Sequence, residues 1–326
     1  MKAARALKRG LQDRRAMRAA VSAWALWVSA CGALPVEAQA PPRRPPRFPA
    51  GVDQISISVS VTDGHDRHVD GLSEPDFAVL EDGVAQKLSF FTRDPLPLSV
   101  ALLVDGSGSM EPYLGEAQAA GERFIRTLGP GDLAQVVQFS DQMVVLQDFT
   151  ADQARLLAAI RGTRASGATA LYTALYVTLK QLGSHGTLEA PRRRAIVLLS
   201  DGEDTASLVT DEQVLGQARV ADVGVYAIAL RPATPRERER LSFMEATHFL
   251  DSLARETGAQ VLLPGSASEL DVAYARVAEE LRTQYTLGYV SSNARRDGTW
   301  RRIVVRMPAR GELQLRHKLG YRAARR

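Results

Sequence analysis

Cysteine occurs once in the 326 residues and histidine five times. One cysteine excludes a disulfide framework and any zinc or iron–sulfur site built on thiolates. Of the histidines only His65 and His68 stand close together. They lie in a loop with no third ligand nearby in sequence, which reads as surface. The chain also lacks a Gly-x-Ser-x-Gly elbow, a phosphate loop with its lysine and a dinucleotide fingerprint, so the common hydrolase, NTPase and dehydrogenase signatures are missing. The apolar stretch over 19–30 falls short of the ~20 residues that span a bilayer. What is present is ordinary for a folded protein, with 45% hydrophobic and 24% charged residues, which excludes global disorder.

The formal net charge of +4 averages three unlike parts. Residues 1–31 hold seven basic groups and one acidic group, residues 295–326 hold eleven and two, and the stretch between carries −11. The balance therefore gives no reason to expect a nucleic-acid partner. A basic segment over 2–18 followed by the apolar 19–30 predicts a secretory signal over 1–31. Its start is either Met1 or Met17. Val28-Ser29-Ala30-Cys31 resembles a lipobox, which would make Cys31 a lipidated first residue and anchor the protein to a membrane. Cleavage after Ala38 or Ala40 is the alternative. Residues 32–51 are a Pro/Arg-rich linker, extended by their prolines. The expected address is periplasm or outer membrane, or outright secretion.

From residue 52 the pattern alternates. Ile55, Ile57, Val59 and Val61 share one side of a strand, with Ser56, Ser58 and Ser60 on the other. Asp82-Gly83 marks a hairpin between 77–80 and 85–91. From 96 to 283 apolar strands alternate with amphipathic helices, which predicts a doubly wound, mostly parallel α/β sheet. A hairpin through Ser140-Asp141 would add an antiparallel edge strand. Residues 284–322 return to strands, and 323–326 form a basic tail. In a doubly wound domain the entering strand and the last helix both lie at the lower end of the sheet. Residues 52–95 and 284–322 are therefore predicted to meet as one small β-sandwich into which the α/β domain is inserted. Alternating arginines on the last strands, among them Arg301, Arg302, Arg306 and Arg316, predict a charged outward face.

Three loops carry candidate chemistry. Asp105-Gly106-Ser107-Gly108-Ser109 follows an apolar strand, and alternate residues of an extended segment point the same way. Ser166-Gly167-Ala168-Thr169 opens a helix, and Ser200-Asp201-Gly202-Glu203-Asp204 follows another apolar strand. All are expected on the rim where open α/β sheets bind ligands. Asp105, Ser107, Ser109, Thr169 and Asp201 offer only hard oxygen donors, which suit Mg²⁺, with Mn²⁺ or Ca²⁺ as alternatives. With mostly neutral ligands the cation would stay electron-poor and accept a carboxylate from another protein.

In these residues the chain resembles the von Willebrand factor A (VWA) superfamily, and within it the exported bacterial VWFA-related proteins. GLSEPDFAVLEDGVAQKLSFF before the α/β part and QYTLGYV…WRRIVVRM after it extend the likeness over the flanks. The resemblance implies a metal-ion-dependent adhesion site. Asp105, Ser107 and Ser109 match its Asp-x-Ser-x-Ser motif, Thr169 its threonine and Asp201 its last aspartate. It further implies direct metal contact by the hydroxyls and contact through water by the aspartates. Thr173 departs from the pattern, where relatives often have Asp. The function expected is non-enzymatic binding of a partner protein's Asp or Glu through the metal. A scaffold of an envelope complex with a stabilising metal is one alternative. The other is a metal-assisted hydrolase, for which Glu203 or Asp204 would have to act as base.

Overall fold

The computed structural model describes residues 54–184, 192–201, 203–231 and 237–325, all within one compact unit. The expected signal, Cys31, the whole linker and Gly202 lie outside the described residues. The first strand, β1 (Gln54–Thr62), buries Ile57, Val59 and Val61 on one face as its alternation requires. β2 (Ala78–Glu81) and β3 (Val84–Gln86) form a hairpin through Asp82 and Gly83, whose φ values of 47° and 86° give the left-handed turn that matches strand twist. β4 (Leu88–Thr92) follows.

The α/β part begins with β5 (Leu98–Asp105), buried along its whole length. After a 3₁₀ turn over 108–113 come α1 (Leu114–Arg126), β6 (Leu133–Phe139), β7 (Met143–Thr150), α2 (Gln153–Arg161) and α3 (Leu171–Ser184). Next are β8 (Arg193–Ser200), α4 (Asp211–Ala221), β9 (Gly224–Ala229), α5 (Glu237–Thr257), β10 (Val261–Leu262) and α6 (Leu270–Thr283). The strand order is β10-β9-β8-β5-β6-β7, parallel except for β7 at the edge. Residues of β5 alternate between two cores. Val100, Leu102 and Val104 pack with α1, α2 and α6, and Ala101 and Leu103 with α3, α4 and α5. A sheet covered on both faces explains the near-continuous apolar runs of its central strands. The winding direction reverses beside β5, so the switch point lies at the carboxyl ends of β5 and β8.

The chain closes with β11 (Tyr285–Val290), β12 (Trp300–Arg306), β13 (Gln314–His317) and β14 (Gly320–Arg322). Strands from the two flanks interleave in two antiparallel sheets, β13-β1-β11-β4 and β14-β12-β2-β3. Ile57, Val59, Tyr285 and Leu287 of the first sheet meet Val79, Ile303 and Val305 of the second in a shared core. The architecture is therefore a mostly parallel α/β sheet inserted in a β-sandwich.

Three expectations change. The run 85–91 is one strand by pattern, but breaks at Lys87: β3 stays with β2 and β4 crosses to β11. The last stretch of the predicted strands over 284–322 also divides between the two sheets. β13 pairs with β1, and the chain then crosses to pair β14 with β12. Gly320 makes that crossing possible, since any side chain there would collide with the Arg301 carbonyl and the Trp300 ring. Finally, Arg301 does not join an outward face. It points inward with Ile303 and Val305, and it and Glu81 are each 2% exposed. Arg301 Nη1 donates to Glu81 Oε1 at 3.2 Å and to the Asn293 carbonyl at 2.6 Å. Burying a guanidinium is tolerable only when it is paired and hydrogen-bonded in this way.

A second polar cluster fastens the sandwich to the α/β part. Glu280 of α6 accepts from Ser60 of β1 (2.6 Å), Gln260 (2.6 Å) and Arg316 of β13 (2.7 Å). Gln284 Nε2 donates to Ser60 Oγ at 3.0 Å and to the Tyr226 hydroxyl at 2.8 Å. Ser60 is thus buried on the face that the alternation assigned to solvent.

Candidate metal centre

Asp105 ends β5, and Ser200 ends β8 beside it with Asp201 directly following, because the two strands run parallel in register. The Asp105 carboxylate is fully buried. Its Oδ1 accepts from the Ser107 N–H at 2.8 Å, and its Oδ2 accepts from the Ser200 hydroxyl at 2.5 Å. The first contact turns the chain back on itself, and the Ser107 and Ser109 hydroxyls come within 3.0 Å of each other. Gly106 is required here, since a Cβ would lie 2.7 Å from the Arg164 carbonyl oxygen.

The second loop is stitched to the first. Ser166 N–H donates to Gly106 O at 2.7 Å, and Gly108 N–H to Gly167 O at 3.0 Å. Gly167 has φ +80°, a turn that glycine adopts without strain. The backbone of Thr169 is held on both sides. Its N–H donates to Thr205 Oγ1 at 3.0 Å, and its carbonyl accepts from the N–H groups of Thr205 (2.8 Å) and Ala206 (3.0 Å). All three loops therefore meet at one rim, the switch point of the sheet, held together by main-chain contacts and by the Ser200 and Thr205 hydroxyls.

Electrostatics define the character of the rim. Burial, then the neighbouring Asp201 charge, raise the Asp105 carboxyl to about 6. Burial also raises Asp201, an effect partly offset by the nearby Ser109 hydroxyl. Asp201 Oδ1 is buried and has no hydrogen-bond partner. Two desolvated carboxylates that repel each other, one with an orphaned oxygen, make a site that gains from a cation. The donors beside them are hydroxyls. Among the described residues no three His, Cys, Asp or Glu gather as a conventional ligand cluster. The set thus fits a hard divalent ion held by few charges, and does not fit zinc or copper.

Asp204 and Thr173 take roles that sequence reading missed. Asp204 Oδ1 accepts from the Tyr172 N–H (3.1 Å) and the Ser207 hydroxyl (2.6 Å). Thr173 N–H donates to Ser207 Oγ at 2.9 Å, and Thr173 Oγ1 accepts from the Leu208 N–H at 3.1 Å. The third loop thereby caps α3 from outside, satisfying amide groups that a helix start leaves open. Asp204 is thus engaged as a cap. The only sequence signal was a run of capping-type residues, Asp204-Thr205-Ala206-Ser207, placed far from the helix it serves. Asp204→Ala is expected to cost about 1–2 kcal/mol in a urea melt, the range of a lost N-terminal cap. An unchanged midpoint would show that water replaces the carboxylate at no cost.

Residues 100–203 match the family model of the von Willebrand factor type A domain. No curated protein matches the chain. Among solved structures, the vWF domain of the type V pili tip protein Mfa5 from Porphyromonas gingivalis is similar at 14% identity and a TM-score of 0.46, covering 57% of this chain and 95% of that one. A von Willebrand factor type A protein from Catenulispora acidiphila is similar at 13% identity and a TM-score of 0.46, covering 85% and 75%. The PilB minor pilin from Streptococcus sanguinis is similar at 12% identity and a TM-score of 0.47, covering 59% and 63%.

Proposed function

We propose that the chain, whose residues 100–203 match the von Willebrand factor type A domain, is an exported binding protein which grips a partner protein's Asp or Glu through a divalent cation, Mg²⁺ in the first instance. The observation that carries this reading is the orphaned, buried Asp201 Oδ1 beside the raised Asp105 carboxyl and the paired Ser107 and Ser109 hydroxyls. Asp105, Ser107, Ser109, Thr169 and Asp201 would hold the ion. When bound, it supplies a positive centre that attracts an incoming carboxylate.

The chain's own residues do the rest. Ser200 and the Ser107 N–H fix the Asp105 carboxylate from behind, so its orientation does not depend on a ligand. The Asp204–Ser207 cap fixes the start of α3 and with it Thr169. Leu208, beside that cap, is 94% exposed and offers an apolar contact at the same rim. The basic and apolar stretches over 2–30 support export, and Cys31 supports anchoring by lipidation.

Calorimetric titration of Mg²⁺, Mn²⁺ and Ca²⁺ into the protein and into Ser109→Ala tests the metal. Ser109 is exposed and outside the hydrophobic core, so its loss should spare the fold. Saturable heat is expected in the parent, and at least about tenfold weaker binding in the variant. Equal affinity in both proteins would remove the site. If the parent binds, capture of carboxylate-bearing partners should be abolished by chelation. Capture that persists in chelator would favour the scaffold reading.

A further inference from the structure

The end of the parallel sheet remote from the metal centre, about 23 Å away along β5 at ~3.3 Å per residue, holds a second concavity. It has a volume of about 890 Å³ and lies between the amino ends of the parallel strands and the sandwich. Its cationic lining is Arg192, Arg193, Arg194, Arg219, Lys318 and Arg322, against the acids Asp222 and Glu256. From β1 the alternate residues Ser56 and Ser58 present hydroxyls to it.

The acids are already spoken for. Arg219 Nη2 meets Glu256 at 2.6 Å, and Asp222 is shared by Lys318 (2.5 Å) and Arg194 (3.3 Å). Arg192, Arg193 and Arg322 make no ion pair with a carboxylate among the described residues, and the one carboxylate charge that Arg193 feels is that of nearby Glu280. Arg192 donates only to the carbonyls of Leu98 (3.2 Å) and Gly131 (2.7 Å), and Arg322 only to that of Gly298 (3.4 Å). Arg193, 5% exposed, donates to the Leu281 carbonyl, the Gln284 carbonyl and the Thr286 hydroxyl, and its Nε has no partner. Carbonyl groups orient a guanidinium without neutralising it. The carboxyl ends of α3, α4, α5 and α6 also border the cleft. Each contributes roughly half a negative charge. Six cations facing two carboxylates and four such helix ends leave about two positive charges uncompensated.

Excess positive charge in a concave, low-dielectric setting attracts anions far more strongly than the same groups on a convex surface. The volume falls within the ~300–1,000 Å³ of small-molecule sites, so it has room for a small-molecule ligand. We propose that this basal cleft binds a small oxyanion-bearing molecule, phosphorylated or polycarboxylic. Arg192 and Arg322 are its charged contacts, the Ser56 and Ser58 hydroxyls its neutral ones, and Arg193 a fixed charge behind them. The site is independent of the metal centre.

The test is calorimetric titration of the full chain in EDTA, which silences the metal centre, with inorganic pyrophosphate in one arm and citrate in the other. Saturable one-to-one binding is expected, weakened at least about tenfold by Arg192→Gln or by Arg322→Glu, as befits loss of a charged hydrogen bond. Binding of pyrophosphate alone identifies a phosphate ligand, binding of citrate alone a carboxylate ligand, and binding of both a site that reads charge. Saturable heat with neither anion overturns the proposal, as does binding that neither substitution weakens. Arg322 is exposed and holds a single long carbonyl contact. Should Arg192→Gln fail to fold, Arg322→Glu decides the matter alone.

Discussion

Replacing Arg301 with alanine is expected to destabilise the protein by about 3–5 kcal/mol, the range for removing one partner of a buried ion pair. Glu81 would stay behind in the sandwich core with its charge unmatched. The hydroxyls of Tyr289 (2.8 Å), Ser291 (2.5 Å) and Tyr321 (3.0 Å) would still donate to it, but none carries a charge. In the parent these three hydroxyls and Arg301 outweigh the opposing effect of burial and hold the Glu81 carboxyl below its ordinary value. The sign follows. A carboxyl lowered by folding stabilises the protein above its unfolded pKa, and that contribution is lost as pH falls through the folded value. Arg301→Ala should therefore cost most near neutrality and least in acid. Guanidinium melts at several pH values measure this directly. The double change Glu81→Gln with Arg301→Met should recover much of the loss, because it removes the charge and keeps the volume. A single variant that melts like the parent at pH 7 would show that the pair carries no net weight.

Asp105→Asn is expected to do the opposite in chelator. The Asp105 carboxyl is raised to about 6 by burial first and by Asp201 second. A raised carboxyl means that the folded state holds its proton more tightly than the unfolded chain. Its effect on stability is therefore absent below about pH 4, grows as a penalty between about pH 4 and 6, and is complete above. Asparagine keeps the shape without the charge, so the metal-free variant should be more stable than the parent at pH 7 by up to ~3 kcal/mol, two pKa units' worth. In acid the two should coincide. Saturating Mg²⁺ should stabilise the parent and leave the variant unmoved, reversing their order. Thermal melts of both proteins in EDTA and in Mg²⁺ at two pH values give the four differences between variant and parent. A variant less stable than the parent in chelator at pH 7 would mean that the Ser200 and Ser107 contacts matter more than the charge.

The parts of the fold that a periodic pattern governs were legible in the sequence. Apolar runs of β5 and β8 announced strands covered on both faces, and the alternation of β1 announced a sheet face. The three loops stood out because oxygen-bearing side chains and glycines cluster directly after those strands. The remainder depends on contacts between distant residues, which no local pattern encodes. Nothing around Lys87 or Lys318 announces that the chain changes sheets there. Arg301 looks like any other arginine until Glu81, 220 positions earlier, is placed opposite it. Ser60 reads as a solvent-facing serine because its partner, Glu280, belongs to another element of the fold. The basal cations are scattered over three separate stretches, 192–194, 219 and 318–322, and only converge once the sandwich is set beneath the sheet.

The pairing of β1 with β11 places Gln54 opposite Val290. Its other neighbour, β13, lies later still in the chain. Neither edge of β1 can be satisfied until nearly the whole polypeptide has been made. Synthesis and any passage through a translocation pore proceed from the amino end, so β1 emerges as a bare template with both rows of amides and carbonyls open. The α/β insert, whose strands pair over shorter stretches of chain, is expected to close first and bring the two flanks together, shortening the loop that the last strands must close. A nascent chain stopped at the end of α6 would thus expose a strand built to be central, with an apolar face and nothing to cover it. Premature termination there should yield aggregates, whereas loss of the last few residues beyond β14 should not.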